Sequence, residues 1–474
     1  MAKTRVLLEV QVQDAYTGGF AAFEDAAGSE SSAYAQITRA LTPVTGLGVE
    51  PDPTLLVIPM FTPPMPGAGS SAPPPSGLSA FGRPETNDDM PPVTVVLPVE
   101  VDRGNLEALR ERSGVVGVWP NSRLQLHSGE GTSACPGTKR TAAEAFDRAR
   151  SRAGVDCRPF RPAVDTEVVR HLLGVSALWR DGLRGQNVTV GILDEGVDGA
   201  TYPVVGGFTH IGSDTYPGSA PVTSHGSMCA ADVLVAAPAA RLYDYPFIGV
   251  PDSGGALAMF QAVLDQRRID GTPHLTTSSY GYASVPPPEE SPGSEIHDID
   301  HPLHRKVREV VASGVAAFFS AGNCGSQCPS SRCKPSGIGP GKSIHASNSL
   351  AEVITVAAVN SFHERIGYSA EGPGMFEPKK PDLATYTHFF GNFGPGRPGG
   401  TDVAEFDNGT SASAPLAAGA AALLLSAFPG MSPQELRDAL TAGLINVTGT
   451  AWDAGYGRGI LNVAASYWHL LHKC

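Results

Sequence analysis

Four short segments of this 474-residue chain carry side chains that can act together on a carbonyl group. Ser411 stands in Asn408-Gly409-Thr410-Ser411-Ala412-Ser413-Ala414-Pro415, ahead of a run of Leu, Ala and Gly. The glycine permits a tight turn and the small residues predict a helix, so the hydroxyl falls where free N–H groups and the helix dipole favour negative charge. Taken alone, Ser411 is equally an N-cap serine. His225 opens His-Gly-Ser-Met-Cys-Ala-Ala, a turn glycine followed by small residues that leave the ring room at a helix start. Asp194 ends the apolar run Val-Gly-Ile-Leu, and Asn323 follows Val-Ala-Ala-Phe-Phe-Ser-Ala-Gly. A single Asp at a strand end or a single Asn in a turn is ordinary. Four such residues, each ending a strand or starting a helix, make a less ordinary set. They supply a hydroxyl, an imidazole to activate it, a carboxylate to hold the imidazole and an amide to stabilise an oxyanion, which is the equipment of acyl transfer.

The elements needed to position them are visible. Beyond residue 168, short apolar runs at 188–193, 314–319 and 353–359 alternate with helical stretches, the pattern of a parallel α/β sheet with helices on both faces. Functional groups in such folds gather at the carboxyl ends of strands. The run 416–428 is shorter than the roughly 20 residues that cross a bilayer and reads as a buried helix, so no membrane span is expected. Upstream, strand patterns at 5–12, 54–59, 93–101 and 114–121 and helical patterns at 31–41 and 105–112 give β-α-β-β-α-β, the order of a small ferredoxin-like α+β unit. A Pro/Gly/Ser-rich insert at 62–92 reads as a loop. The expected organisation is a first domain at 1–128, a linker with one helical stretch at 129–165, and a larger α/β domain at 166–474.

Gly409-Thr410-Ser411, His225-Gly226-Ser227, Ile192-Leu193-Asp194-Glu195-Gly196-Val197-Asp198 and Ala321-Gly322-Asn323 resemble the four signature blocks of the subtilisin-like serine proteases, or subtilases, in that family's order Asp, His, Asn, Ser. Thr277-Ser278-Ser279-Tyr280-Gly281 resembles the family's substrate-binding strand, and Lys380-Pro381-Asp382-Leu383 and Tyr456-Gly457-Arg458-Gly459-Ile460-Leu461-Asn462 resemble further landmarks. The likeness spans about residues 165–470. It implies a serine endopeptidase with Asp194, His225 and Ser411 as catalytic triad and Asn323 in the oxyanion hole. A peptide or protein substrate would be bound along Ser279, Tyr280, Gly281, Ala321 and Gly322. No cofactor is required for that chemistry and no catalytic metal is implied. Relatives often carry structural calcium, for which no ligand set is readable here. The residues from Ser411 to Gly419, with Cys229, resemble the kexin/furin branch, whereas His225 and Asn323 argue against the sedolisins, which use Glu and Asp at those places. The N-terminal unit resembles the subtilase inhibitory prodomain, implying that the chain's own N-terminal domain is an intramolecular inhibitor cut near Leu124 to Ser128. Departures from the pattern are the 62–92 insert, the long linker, the absence of Ala-Pro-Gly near Lys380, and an inserted loop from Cys324 to Lys342.

Composition narrows the alternatives. A net charge of −13 opposes a nucleic-acid partner, which needs a surplus of Lys and Arg. The first residues carry Glu9 within their apolar stretch and do not resemble a secretory signal, which favours a cytoplasmic location, whereas the cysteine cluster favours an oxidising compartment and secretion. Seven cysteines leave at least one unpaired; Cys324, Cys328 and Cys333, with His345 the nearest imidazole beyond them, admit disulfides, thiols or zinc. Glu289, Glu290, Glu295, Asp298 and Asp300 follow the Tyr280-Gly281 segment and could favour basic substrates. Two other readings stand beside hydrolysis: a transpeptidase or macrocyclase using the same triad, and a non-catalytic binding protein of the same fold.

Overall fold

Along the first strand, β1 (Lys3–Gln11), both faces are buried, and the period-2 geometry of a strand sorts its side chains. Val6, Leu8 and Val10 enter a small core with Val95, Leu97, Val99, Val101 and Leu109, whereas Leu7 joins a second core belonging to the larger domain. β2 (Ile58–Met60), β3 (Thr94–Asp102) and β4 (Val115–Pro120) give the antiparallel order β2–β3–β1–β4, Glu50–Pro51 pairs with β3 as a fifth short strand, and the short helix α1 (Leu106–Arg110) lies between β3 and β4. The computed structural model describes residues 3–11, 37, 40–52, 57–61, 94–127, 154–157, 163–208, 215–247, 251–400 and 406–472. Most of the 31–41 helical pattern, the 62–92 insert and the helical stretch of the linker lie outside them.

The larger domain is built on parallel strands. After a two-residue strand, β5 (Gln125–Leu126), come β6 (Thr189–Asp194), β7 (Val204–Gly207), β8 (Arg241–Pro246), β9 (Leu275–Ser278), β10 (Tyr280–Gly281), β11 (Ala316–Ser320), β12 (Ile354–Val359), β13 (Leu383–Tyr386) and β14 (Ile460–Leu461). The sheet runs β7–β8–β6–β9–β11–β12–β13–β14 with every one of these pairs parallel. The chain leaves β6 for β8 on one side and returns to β9 on the other, so strand order reverses at β6, where open α/β sheets form their clefts.

Alternation along the strands again divides the core. Val190, Ile192, Ala316 and Phe318 face helices α2 (His225–Ala236) and, further along the chain, Thr410–Ala427, while Leu193, Ala317 and Phe319 face α3 (Ser253–Asp270) and α4 (Pro302–Ala312). The helix Thr410–Ala427, here α5, is the buried helix expected near 416–428, begun nearly two turns earlier. Its small side chains let it approach α2 closely: a Cβ on Gly419 would lie 2.2 Å from the carbonyl oxygen of Val233.

The N-terminal sheet packs on the outer surface of α3 and α4. Leu7, Ile58, Met60 and Val96 join Phe260, Val263 and Val307 in one cluster. Buried polar groups are matched across this boundary. The Arg305 guanidinium pairs with Glu9 at 2.5 Å, and Lys306 donates to the Pro59 carbonyl at 2.7 Å. The Glu9 carboxylate also accepts from Thr94 and Trp119. Such a pair leaves a costly unpaired charge when one partner is removed. Two described pieces of the linker are docked as strands: Val155–Asp156 pairs with Arg365–Ile366, and Val164–Asp165 with Phe389–Phe390.

Candidate active site

β6, β9 and β11 are adjacent, so their carboxyl ends present Asp194, Ser279 and Asn323 along one edge. Helix α2 begins at His225, and its ring Nδ1 lies 2.8 Å from Asp194 Oδ1, both side chains buried. Burial works against an imidazolium, but the Asp194 charge and hydrogen bond, with Glu195, outweigh it and leave the His225 pKa raised. The other ring nitrogen, Nε2, and the Ser411 hydroxyl are buried without hydrogen-bond partners among the described groups.

Ser411 is the second residue of α5, and the residue ahead of the helix is Gly409, at φ 80°. The N-cap alternative therefore does not hold, and a glycine is needed where the backbone enters the left-handed region. Pro415, within this helix, has no N–H to donate to the carbonyl four residues back, which belongs to Ser411. That carbonyl accepts instead from Ser279 Oγ at 3.3 Å and from the Cys229 thiol at 3.6 Å. The same thiol lies 3.7 Å from Asp194 Oδ2 and 4.0 Å from His225 Nδ1, so one side chain on α2 touches all three members of the set. Burial, with Asp194 and Asp232 nearby, pushes the Cys229 thiol well up.

Asn323 is held by Thr410: its Oδ1 accepts from the Thr410 backbone N–H at 3.0 Å and hydroxyl at 2.9 Å, which leaves Nδ2 to donate. It donates to the His127 carbonyl, at 2.5 Å. The segment before that carbonyl lies in the cleft as an added strand. β5 pairs antiparallel with β10, Leu126 opposite Tyr280 and Gln125 opposite Gly281, and the His127 N–H donates to the Ser279 carbonyl at 2.8 Å. The Leu124 N–H donates to Pro251, so the tail is bonded on both sides. The buried His127 side chain shares a small cavity with Gly281, Tyr282, Ala321, Ser343, His345 and Asn348, with Gly322 close to its ring. All nine residues singled out in the sequence thus meet at one place.

A family model described as Subtilase family matches residues 185–459, which takes in each of the four signature blocks. The chain belongs to the subtilase family. It is accordingly a serine endopeptidase, a hydrolase. It is 28% identical to Subtilisin DY of Bacillus licheniformis over 308 residues, 62% of this chain and 96% of that protein. It is likewise 28% identical to Subtilisin E of Bacillus subtilis (strain 168), covering 61% of this chain and 68% of the other. Among solved structures it resembles fervidolysin from Fervidobacterium pennivorans, described as a keratinolytic enzyme related to subtilisin, at TM-score 0.56 and 15% identity. That likeness in fold covers 98% of this chain, which spans 61% of fervidolysin.

Several features of this subtilase were not legible beforehand. Cys324 bonds Cys333 and Cys328 bonds Cys157, so the cysteine loop is disulfide-bonded and not a zinc site, and Cys229 is a buried free thiol. His345 lines the cavity around His127. Among the described residues the ligand-like cluster is Asp194, His225 and Cys229, whose ring and carboxylate are already engaged with each other. The acidic stretch does not line the cavity either. Glu289 and Glu290 are exposed, and Glu295 is fully buried, 3.6 Å from His301. Thr410 lies within a recognised block and Ser320, 2.7 Å from the His127 ring, directly before one, but neither carries a sequence signal of its own for the contact it makes.

Proposed function

We propose that Asp194, His225 and Ser411 form the hydrolytic triad, that Asn323 stabilises the oxyanion, and that the N-terminal unit is an intramolecular inhibitor cut after His127. The observation that carries this reading is the Asn323 amide donating to the His127 carbonyl while the preceding residues pair with β10. Ser411 Oγ attacks that carbonyl carbon and gives its proton to His225 Nε2. The carbonyl oxygen takes the negative charge, stabilised by Asn323 Nδ2 and by the Ser411 backbone N–H, which has no intrahelical acceptor so early in α5. Collapse breaks the C–N bond, His225 returns the proton to the departing Ser128 nitrogen, and water then hydrolyses the acyl-enzyme by the reverse proton path. Tethering presents the tail at high effective concentration, so the site stays occupied until the cut is made and the N-terminal unit leaves. The leaning toward the kexin/furin branch rests on Cys229 and the residues after Ser411 alone.

A fluorophosphonate probe tests the triad. The self-processed wild type is expected to label covalently and Ser411→Ala not at all, while Asn323→Ala keeps its fold and labels but loses about 10²–10³ in kcat. Labelling of Ser411→Ala at the wild-type rate contradicts the assignment.

A further inference from the structure

The cavity that receives residue 127 is more particular than peptide hydrolysis requires. Its walls are close: a Cβ on Gly281 would lie 2.7 Å from both Cε1 and Nε2 of the ring, and one on Gly322 would lie 3.6 Å from Cε1. Its base is polar. Ser320, at the end of β11 and fully buried, places its hydroxyl 2.7 Å from His127 Nδ1. The rest of the lining consists of Tyr282, Ala321, Ser343, His345 and Asn348, with no carboxylate among them. His345 Nε2 is itself buried without a hydrogen-bond partner among the described groups.

From this geometry, and resting on the peptidase reading above, we propose that the specificity pocket selects an uncharged imidazole, so that the enzyme cuts its substrates after histidine. A phenylalanine ring would leave the Ser320 hydroxyl buried without that partner, and sites that hydrogen-bond a substrate group reject analogues lacking it. An arginine or lysine would bring a full charge into a buried cavity with no anion to meet it. Burial disfavours the imidazolium of His127, and the titratable groups that face the ring, His345 in the lining, His225 on α2 and Arg332 of the disulfide loop, add to this; the ring's pKa is lowered to about 3. His345 is held uncharged by the same burial, its pKa lowered to about 4. A free histidine peptide titrates near 6.5, so the fraction competent to bind falls about ten-fold between pH 7.5 and 5.5. Selection for histidine is therefore selection for its neutral form.

The test uses self-processed wild-type enzyme and quenched fluorescent peptides Leu-Gln-Leu-Xaa-Ser with Xaa as His, Phe, Gln or Arg. The kcat/KM for His is expected to exceed those for Phe and Arg by at least about ten-fold at pH 7.5. The His-to-Phe ratio, in which titration of His225 cancels, should fall about ten-fold by pH 5.5. Ser320→Ala should lower that ratio at pH 7.5 by about ten-fold. Equal or faster cleavage after Phe or Arg, or a ratio independent of pH, overturns the proposal while leaving an active peptidase. An enzyme that cuts none of the four and does not label with fluorophosphonate overturns the peptidase reading along with it. Should Ser320→Ala fail to fold, the wild-type ratios decide alone.

Discussion

At the scale of single residues, the site depends on groups that limit one another's freedom. Pro415 frees the Ser411 carbonyl, Ser279 and Cys229 take it up, and Thr410 fixes the Asn323 amide so that its N–H₂ faces the cleft. Asp194 does the same for His225 and raises its pKa, which has a readable consequence. In the proposed triad the ring must be neutral to accept the Ser411 proton, so the rate is expected to rise with pH as His225 loses its proton. Because its pKa lies above the ordinary 6.5, the acid limb of kcat/KM for a peptide without histidine is expected above that value. In Asp194→Asn the charge is gone, burial prevails, and the limb should move to lower pH with a loss of about 10⁴ in kcat. A wild-type limb at or below 6.5 would mean that Asp194 does not govern the ring.

At the scale of elements, what was legible in the sequence and what was not divides along physical lines. The strands at 188–193, 314–319 and 353–359 are observed as Thr189–Asp194, Ala316–Ser320 and Ile354–Val359, because apolar runs bounded by turn residues have few other places to go. Asp194 and Asn323 stand at or just past the ends of such strands and His225 and Ser411 at helix starts, so these four were legible as candidates. Ser320 and His345 were not, since they meet only through the register of β11 against its neighbours and the fold of a long loop. The Cys157–Cys328 bond joins residues 171 apart in sequence, a distance across which spacing carries no information. The acidic residues after Gly281 are near it in sequence, yet none of them lines the cavity around His127. A further expectation belongs to the α2–α5 contact. In Gly419→Ala the added methyl meets backbone that cannot yield, costing about 2–3 kcal/mol, more than the gain in helix propensity of up to about 1 kcal/mol. Thermal unfolding should therefore fall by roughly 2–10 °C; an unchanged or raised midpoint would show that the helices can separate at little cost.

For the whole molecule, the N-terminal sheet, the cleft strand and the parallel sheet form one continuous arrangement. The sheet packs on α3 and α4 through Leu7, Ile58 and the Glu9–Arg305 pair, and Ser122 exchanges hydrogen bonds with Ser253 at the start of α3. From there the chain runs along β10 to the Asn323 amide. Past that point the described pieces at 154–157 and 164–165 are bound to the larger domain by strand pairing and by the Cys157–Cys328 bond. A cut after residue 127 would therefore separate an N-terminal unit held by non-covalent contacts alone, the Glu9–Arg305 pair and the β5–β10 pairing among them, from a catalytic unit that keeps its linker. The intact mass of the purified protein tests this most directly. Wild type should yield two chains divided between His127 and Ser128, and Ser411→Ala a single chain of full length. Wild-type protein that is catalytically active yet uncut, or a mutant cut at the same bond without added protease, would contradict the account.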